Sequence, residues 1–460
     1  METWVHTNAQ ATNKTDGVQD NTINIFARIR ADFNAYGGLH GFTASLKDKW
    51  WSLCCQQPLL ASTVASGETR HVPDLYADPE YVTKWLKSSF YVITDDYADG
   101  AHDAYGDLPS VDKATLYFFP KTQDVLIRTP HYLIDGIGHL MLIERLLQMV
   151  SSGSCSSSKA TTTTHIRSAN TIELLSPTFE DALNLPEPNV AALEDVKSFV
   201  DLFQRGEYPP TGLRFRSSKS ASRCRKLIQR FSTAKSMAIL KACKAKGFTI
   251  THLFHAAAMM ASQRLNPTSG RGGLYSTGTA FDLRGRCLPP FNSDKHACTV
   301  YLLPRFVIVQ QGSFEDTIGQ FKAFYRSEWD RPGLRPSIVP FLQQMDRLSQ
   351  KFATAPPMSS IGMSSFGDLR RWMSRSHGIG QERIHVEEIS ITAETIAPAI
   401  ALHLWSWGDQ ISMQMEWNDK YYATEDMIYY QRAILHEIQS SFELEIGKVL
   451  ESANEALKIT

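Results

Sequence analysis

The chain has 460 residues, of which 43% are hydrophobic and 10% aromatic, with 47 basic against 48 acidic side chains. That length exceeds one ordinary core and predicts a folded protein of two roughly equal lobes. The near-zero net charge gives no bulk electrostatic reason for nucleic acid or an anionic membrane as partner, so any phosphate binding must come from local clusters.

The N-terminal "METWVHTNAQATNKTDG" lacks the basic flank and apolar run of a secretory signal, and no later stretch is apolar over the length needed to cross a bilayer, so a cytoplasmic protein is expected. "TINIFARIRADFNAYGG", "LKDKWWSLCCQQPLLAS" and "PEYVTKWLKSSF" read as helices. "ATLYFFPKTQDVLIRTPHYLID" reads as a hairpin, two runs of β-branched and aromatic residues broken by a turn-like "PKTQD". From Gly136 the apolar residues recur at helical intervals through "GIGHLMLIERLLQMV", which predicts a largely buried helix. "SSGSCSSSKATTTT", at 151–164, has a composition that buries nothing and predicts a surface loop. The stretch from "NLPEPNV" to the basic "RSSKSASRCRKLIQR" reads as a long crossover. The expected organisation is an N-terminal lobe over 1–185, a crossover over 186–228 and a C-terminal lobe over 229–460.

The second lobe opens with "FSTAKSMAILKACKAKG", a helix capped by Ser232 or Thr233 and stopped at Gly247, followed by the Ala-rich helix "FTITHLFHAAAMMASQRL". Strands are predicted in "GLYSTGTAFDLRGR" and "CTVYLLPRFVIVQ", then a helix in "FEDTIGQFKAFYRSEWD". "MSSIGMSSFGDL", "HVEEISITAET", "AIALHLWSWGDQISMQMEWND" and the helix "TEDMIYYQRAILHEIQSSFELEI" complete a mixed α/β lobe. Strands alternating with helices in both halves favour two α/β sandwiches over a bundle or a barrel.

"TPHYLIDGIGHL" concentrates the chemistry. Pro130 holds the preceding residue extended, so the strand is expected to reach His131 and turn just after it. A histidine there is either a base aimed into a cleft or a packed residue among apolar neighbours. Asp135 stands where the next helix begins and is placed to cap its free N–H groups. Gly136 permits a tight backbone angle or the close approach of a ligand. In the second lobe "TAFDLRGRCLPP" ends a strand with Asp282, Arg284 and Arg286, arginines that either face solvent or pair with a buried carboxylate.

Taken together, the HxxxDG string at His131, Asp135 and Gly136 and the later "DLRGR" resemble the chloramphenicol acetyltransferase-like superfamily of CoA-dependent acyltransferases and condensation domains. The resemblance extends over nearly the whole chain, through "AILKACKAKGFTITHLFHAAAMMASQRL", "MSSIGM", similar to a strand that often reads Ser-Asn-x-Gly, and "WSWGDQISMQMEWNDKYYATEDMIYY". Within it the fungal trichothecene 15-O-acetyltransferase-like branch is the nearest in character. The chain departs from the plant-type enzymes, whose DFGWG it lacks, and from peptide-synthetase condensation domains, which usually show two adjacent histidines where this chain has Pro130 and His131.

The resemblance implies two chloramphenicol acetyltransferase-like α/β sandwich lobes with an active-site channel between them, and a stand-alone acyl-CoA-dependent O-acyltransferase, acetyl-CoA being the expected donor and a hydroxyl of an apolar secondary metabolite the acceptor. His131 would be the general base, and Asp135 would pair with Arg284, or alternatively Arg286, to hold the turn. Ser359 and Ser360 are candidates for stabilising the oxyanion or are simply strand-end serines. The basic clusters available for CoA phosphates are Arg223, Arg225 and Lys226, or Arg370, Arg371 and Arg375, with solvated faces as the plain alternative. Trp405 and Trp407 either line the acceptor pocket or pack in the core. The alternative chemistry is amide formation or intramolecular cyclisation without CoA. No permanently bound cofactor or metal is expected: the seven cysteines lack a CxxC pair, and His252 and His255 have no evident third ligand. The partners expected are the small-molecule acceptor and acyl-CoA, the protein acting as a monomer.

Overall fold

A computed structural model describes residues 3–6, 22–66, 69–72, 79–94, 97–152, 174–207, 210–216, 223–270, 272–352, 358–395 and 397–442. Its strands in chain order are β1 (Thr3–His6), β2 (Thr22–Ala31), β3 (Thr63–Ser66), β4 (Thr69–Val72), β5 (Phe90–Val92), β6 (Thr115–Phe119), β7 (Asp124–Pro130), β8 (Cys224–Arg230), β9 (Leu274–Asp282), β10 (Leu302–Gln310), β11 (Ser360–Asp368), β12 (Ser376–His377), β13 (Ile384–Ala393), β14 (Ala399–Trp407) and β15 (Gln410–Asn418). They form a three-stranded sheet and two six-stranded sheets, ordered β12-β13-β2-β7-β6-β5 and β10-β9-β11-β14-β15-β8. The fold is mixed α/β, as expected. No helix among the described residues is long and apolar enough to cross a membrane.

The chain divides into two compact units, and the division is not the simple one drawn from the sequence. Unit 1 comprises Met1–Asn184, Asp282–Leu302 and Leu369–Ala393; unit 2 comprises Leu185–Phe281, Leu303–Asp368 and Glu394–Thr460. Two segments assigned by sequence to the C-terminal lobe therefore return to unit 1. The second does so through β13, which runs antiparallel to β2 from Ile384↔Ala31 to Ala393↔Ile23. Such long-range pairing leaves no local signal in the sequence.

In unit 1, "TINIFARIRA" is β2 and not the helix expected from its sequence. Flanked by β7 and β13, it is buried on both faces, and a short apolar run of that kind carries no period that separates strand from helix. The hairpin is present, β6 pairing with β7 from Thr115↔Arg128 to Phe119↔Asp124. The helices Gly38–Gln56, Pro79–Ser89 and Gly136–Ser151 also form where their patterns indicate. The Ser-rich loop at 151–164 falls almost wholly outside the described residues.

In unit 2, helices Thr233–Ala245 and Ile250–Leu265 start at caps whose side chains accept from the first turn, Ser232 from Lys235 N and Thr249 from His252 N. The helices Ile250–Leu265 and Thr424–Phe442 cover one face of the sheet, burying Ile361, Met363, Ile400, Leu402, Leu404, Met413 and Met415 in one apolar core. The basic "CRKLIQR", read as part of the crossover, is edge strand β8, paired antiparallel with β15. Helix Leu334–Phe352 has no counterpart in the sequence reading, because Pro340 inside it breaks the expected pattern. Leu402→Ala, at a fully buried position of this core, is expected to destabilise unit 2 by about 2–5 kcal/mol, measured as lost hydrogen-exchange protection in β11, β14 and β15.

Candidate active site

Strand β7 ends at Pro130, one residue earlier than expected, and His131 lies in the turn that follows, closed by Leu133 N donating to Pro130 O at 3.0 Å. His131 is half-buried, and Thr129, Pro130, Leu133 and Ile134 around it are buried. Asp135 is the N-cap of helix Gly136–Ser151, its Oδ1 accepting from Gly138 N at 2.8 Å. The capping role predicted for Asp135 is only part of what it does.

Arg284 Nη1 donates to both Asp135 oxygens, at 2.7 and 2.6 Å, and Tyr301 N donates to Asp135 Oδ2 at 2.8 Å. Both side chains are completely buried. Arg284 Nη2 also donates to the Ala297 and Thr299 carbonyls at 3.3 Å, and the guanidinium lies 5.5 Å from the centre of the Tyr301 ring. Burial opposes the charge on Arg284, but Asp135 and Asp282 outweigh it and hold its pKa above the ordinary value. The Asp135 carboxylate thus accepts from a helix N-terminus, a guanidinium and a strand amide, so its acceptor capacity is spent on holding structure.

The sequence reading missed His139. Its Nδ1 lies 3.1 Å from Asp135 O and its Nε2 2.9 Å from Thr129 Oγ1. A carbonyl only accepts, so Nδ1 carries the proton and Nε2 accepts from the Thr129 hydroxyl. Burial drives its pKa down to about 3, so this bridge is neutral. It ties the last turn of β7 to the helix cap and thereby clamps the two ends of the segment carrying His131. A spacing of four from Asp135 on one helix face was the available signal.

Two further expectations change. Gly136 is the first residue of the helix and lies outside the positive-φ set, so no left-handed turn calls for glycine there. The glycine the packing demands is Gly138, where a Cβ would meet Ala297 O at 2.2 Å and Arg284 Nη2 at 3.0 Å. Arg286 is exposed, two residues beyond the buried Arg284.

The remaining candidates are spread over both units. Ser359 and Ser360, in unit 2, stand at the start of β11. Tyr422 donates its hydroxyl hydrogen to Pro398 O at 2.8 Å, so Ser359 gives its own to Tyr422, 2.6 Å away. Ser359 also borders a unit-2 cleft of about 540 Å³ with Leu213, Arg214, Phe215 and Met358. Of the basic clusters, Arg225 is held by Asp419 at 3.4 Å, and Asp419 also accepts from Arg223 N. Arg370 and Arg371 are exposed on a short turn of unit 1, followed by exposed Arg375. Trp405 and Trp407 are buried on β14. His255 is engaged by Tyr325 Oη at 2.9 Å and Thr277 Oγ1 at 3.1 Å, and His252 by its own capping box. Among the described residues no cluster of three His, Cys, Asp or Glu is placed to hold a metal.

Residues 119–305 match the family model of 15-O-acetyltransferase Tri3. The chain is 23% identical to O-acetyltransferase pigM of Monascus ruber over 398 residues, 84% of this chain and 74% of that protein. The solved structure of TRI3 trichothecene 15-O-acetyltransferase from Fusarium sporotrichioides aligns with a TM-score of 0.75 at 17% identity, covering 92% of each chain. The epimerization domain from the third module of tyrocidine synthetase B aligns with a TM-score of 0.58 at 10% identity, again over 92% of each. The chain is an acyltransferase with the two-lobed fold of TRI3 and of the condensation-type domains. The matched span of this acyltransferase runs from β6 to β10 and contains His131, the Asp135–Arg284 pair, His139 and Tyr301.

Asp135→Ala in this acyltransferase strands the buried Arg284 charge and is expected to destabilise it by about 3–5 kcal/mol, read from the urea midpoint. His139 imposes a pH dependence of definite sign. With its pKa near 3 folded and about 6.5 unfolded, the unfolded chain binds the extra proton between these values. Its contribution is therefore complete above about pH 6.5 and is lost as the pH falls toward 3. At pH 5 the loss is about 2 kcal/mol, and His139→Asn should flatten this slope in urea titrations at pH 7 and 5.

Proposed function

We propose that this acyltransferase moves an acetyl group from acetyl-CoA to a hydroxyl of an apolar secondary metabolite, with His131 as general base. The observation that carries this reading is the half-buried His131 in a turn whose two ends are clamped by His139 and by the Asp135–Arg284 pair. Relatives named as O-acetyltransferases lend it support.

In the proposed reaction the His131 imidazole takes the acceptor's hydroxyl proton as the oxygen attacks the thioester carbonyl. The C–O bond forms, and the carbonyl electrons move onto the oxyanion. Collapse re-forms the carbonyl, breaks the C–S bond and expels the CoA sulfur, which receives the proton from His131. No acyl-enzyme is required. Asp135 and Arg284 act by position, since a base displaced by an ångström loses much of its rate advantage. Ser360 is the better candidate for the oxyanion, because the Ser359 hydroxyl donates to Tyr422. The exposed Arg370, Arg371 and Arg375 suit the CoA phosphates better than Arg223, Arg225 and Lys226, whose strand is tied to Asp419.

Incubated with acetyl-CoA and a panel of alcohols, the protein is expected to release free thiol together with an acetyl ester. His131→Ala should lower that rate by roughly 10²–10⁴-fold at unchanged urea midpoint. Turnover of the variant at the parental rate would overturn the assignment.

A further inference from the structure

The near-zero net charge hides an uneven distribution. Between Glu207 and Asp282 lie 74 residues without one aspartate or glutamate, where the chain's average would place about eight, and they include thirteen lysines and arginines. Several of these cations are met by carboxylates from later in the chain: Arg216 by Asp426 at 3.7 Å, Arg225 by Asp419 at 3.4 Å, Lys246 by Glu315 at 3.7 Å and Arg264 by Glu437 at 2.9 Å. Lys235, Lys241 and Lys244, on helix Thr233–Ala245, have no such partner among the described residues.

That helix has two unlike faces. Ser236, Ile239 and Cys243 are buried, Ile239 and Cys243 in the apolar core of unit 2, and Ile411 N donates to Ser236 Oγ at 2.9 Å. On the other face Met237 and Leu240 are 62% and 46% exposed, and Lys241 and Lys244 are exposed as well. Residues four apart on a helix are neighbours, so each of these apolar side chains stands one turn before an exposed lysine. The helix itself carries no carboxylate. Two adjacent exposed apolar side chains beside unpaired cations fit a partner that is negative at its surface and hydrocarbon beneath.

We propose that the exposed face of helix Thr233–Ala245 docks on an anionic lipid surface. Met237 and Leu240 enter the boundary between headgroups and acyl chains, while Lys241 and Lys244 extend their stems along it and place their ammonium groups among the lipid phosphates and carboxylates. The contact is peripheral, with the helix lying in the plane of the interface. A nucleic acid would meet the lysines but leave Met237 and Leu240 in water, and a second copy of this chain would set lysine against lysine.

Co-sedimentation of the full chain with mixed phosphatidylcholine–phosphatidylserine vesicles, and with phosphatidylcholine alone, tests this. The wild type should bind the mixed vesicles at least tenfold more tightly. Raising the salt from about 0.1 M to about 1 M, which shortens the screening length from about 10 Å to about 3 Å, should release it. Lys241→Glu with Lys244→Glu, and separately Met237→Ser with Leu240→Ser, should each weaken binding at least tenfold at the parental urea midpoint, since all four positions are exposed. Lys84→Glu with Lys87→Glu, an equal charge change at exposed positions of helix Pro79–Ser89, should leave vesicle binding unchanged. Equal loss in this control pair would reduce the effect to net charge and overturn the site. So would absent binding by the wild type, undiminished binding by the serine pair, binding of a DNA oligonucleotide in place of vesicles, or a dimer in sedimentation that the serine pair dissolves without any vesicle binding. Thiol release from acetyl-CoA in vesicle-free solution is scored separately and bears only on acyl transfer.

Discussion

The buried pair of Asp135 and Arg284 is the constraint on which the unit-1 site depends. Two charges removed from water are expensive, and their attraction repays this only when the geometry is good and the remaining hydrogen-bond capacity is filled. Here Asp135 receives Arg284, Gly138 N and Tyr301 N, while Arg284 also reaches two backbone carbonyls. Such a network has few alternative arrangements, because moving any member strands another. What it fixes is the start of a helix and, through it, the turn that presents His131.

His139 completes that constraint by different means. A neutral histidine held by a carbonyl and a hydroxyl adds no charge to a site that already contains a buried ion pair. The turn and the helix that follows thus carry one half-buried imidazole, His131, and one fully buried imidazole, His139, eight residues apart in sequence. Gly138 belongs to the same design, since any side chain there would push the Ala297 carbonyl and Arg284 apart.

Unit 2 supplies a different kind of surface. Its sheet is stitched to the covering helices by apolar packing and by Thr277 and Thr279, whose hydroxyls donate to the Ile361 and Met363 carbonyls and meet His255 and Tyr325. The buried half of the alternation therefore does the work of folding. The other half of the alternation combines the partly exposed Gly278, Gly362 and Ala401 with the buried His403, Gln414 and Glu416.

Much of this was legible locally. The β6–β7 hairpin, the buried helix after Gly136 and the caps at Asp135 and Ser232 are written in short-range patterns and residue types, while the pairing of HxxxDG with "DLRGR" was implied by the family resemblance. Strand β2 was misread because it is buried on both faces, and helix Leu334–Phe352 was missed because Pro340 interrupts it. The sequence by itself determined the mixed α/β class and the caps at Asp135 and Ser232, since these follow from periodicity and backbone chemistry, whereas the choice of Arg284 over Arg286 as the partner of Asp135 needed the structure. Only the tertiary structure decided that 282–302 and 369–393 return to unit 1, that His139 closes the turn, and that Gly278, Gly362, Ala401 and Glu416 share one row. Each of these depends on strand register and long-range pairing, which arise when separate segments bury one another's surfaces and leave no trace in any single segment.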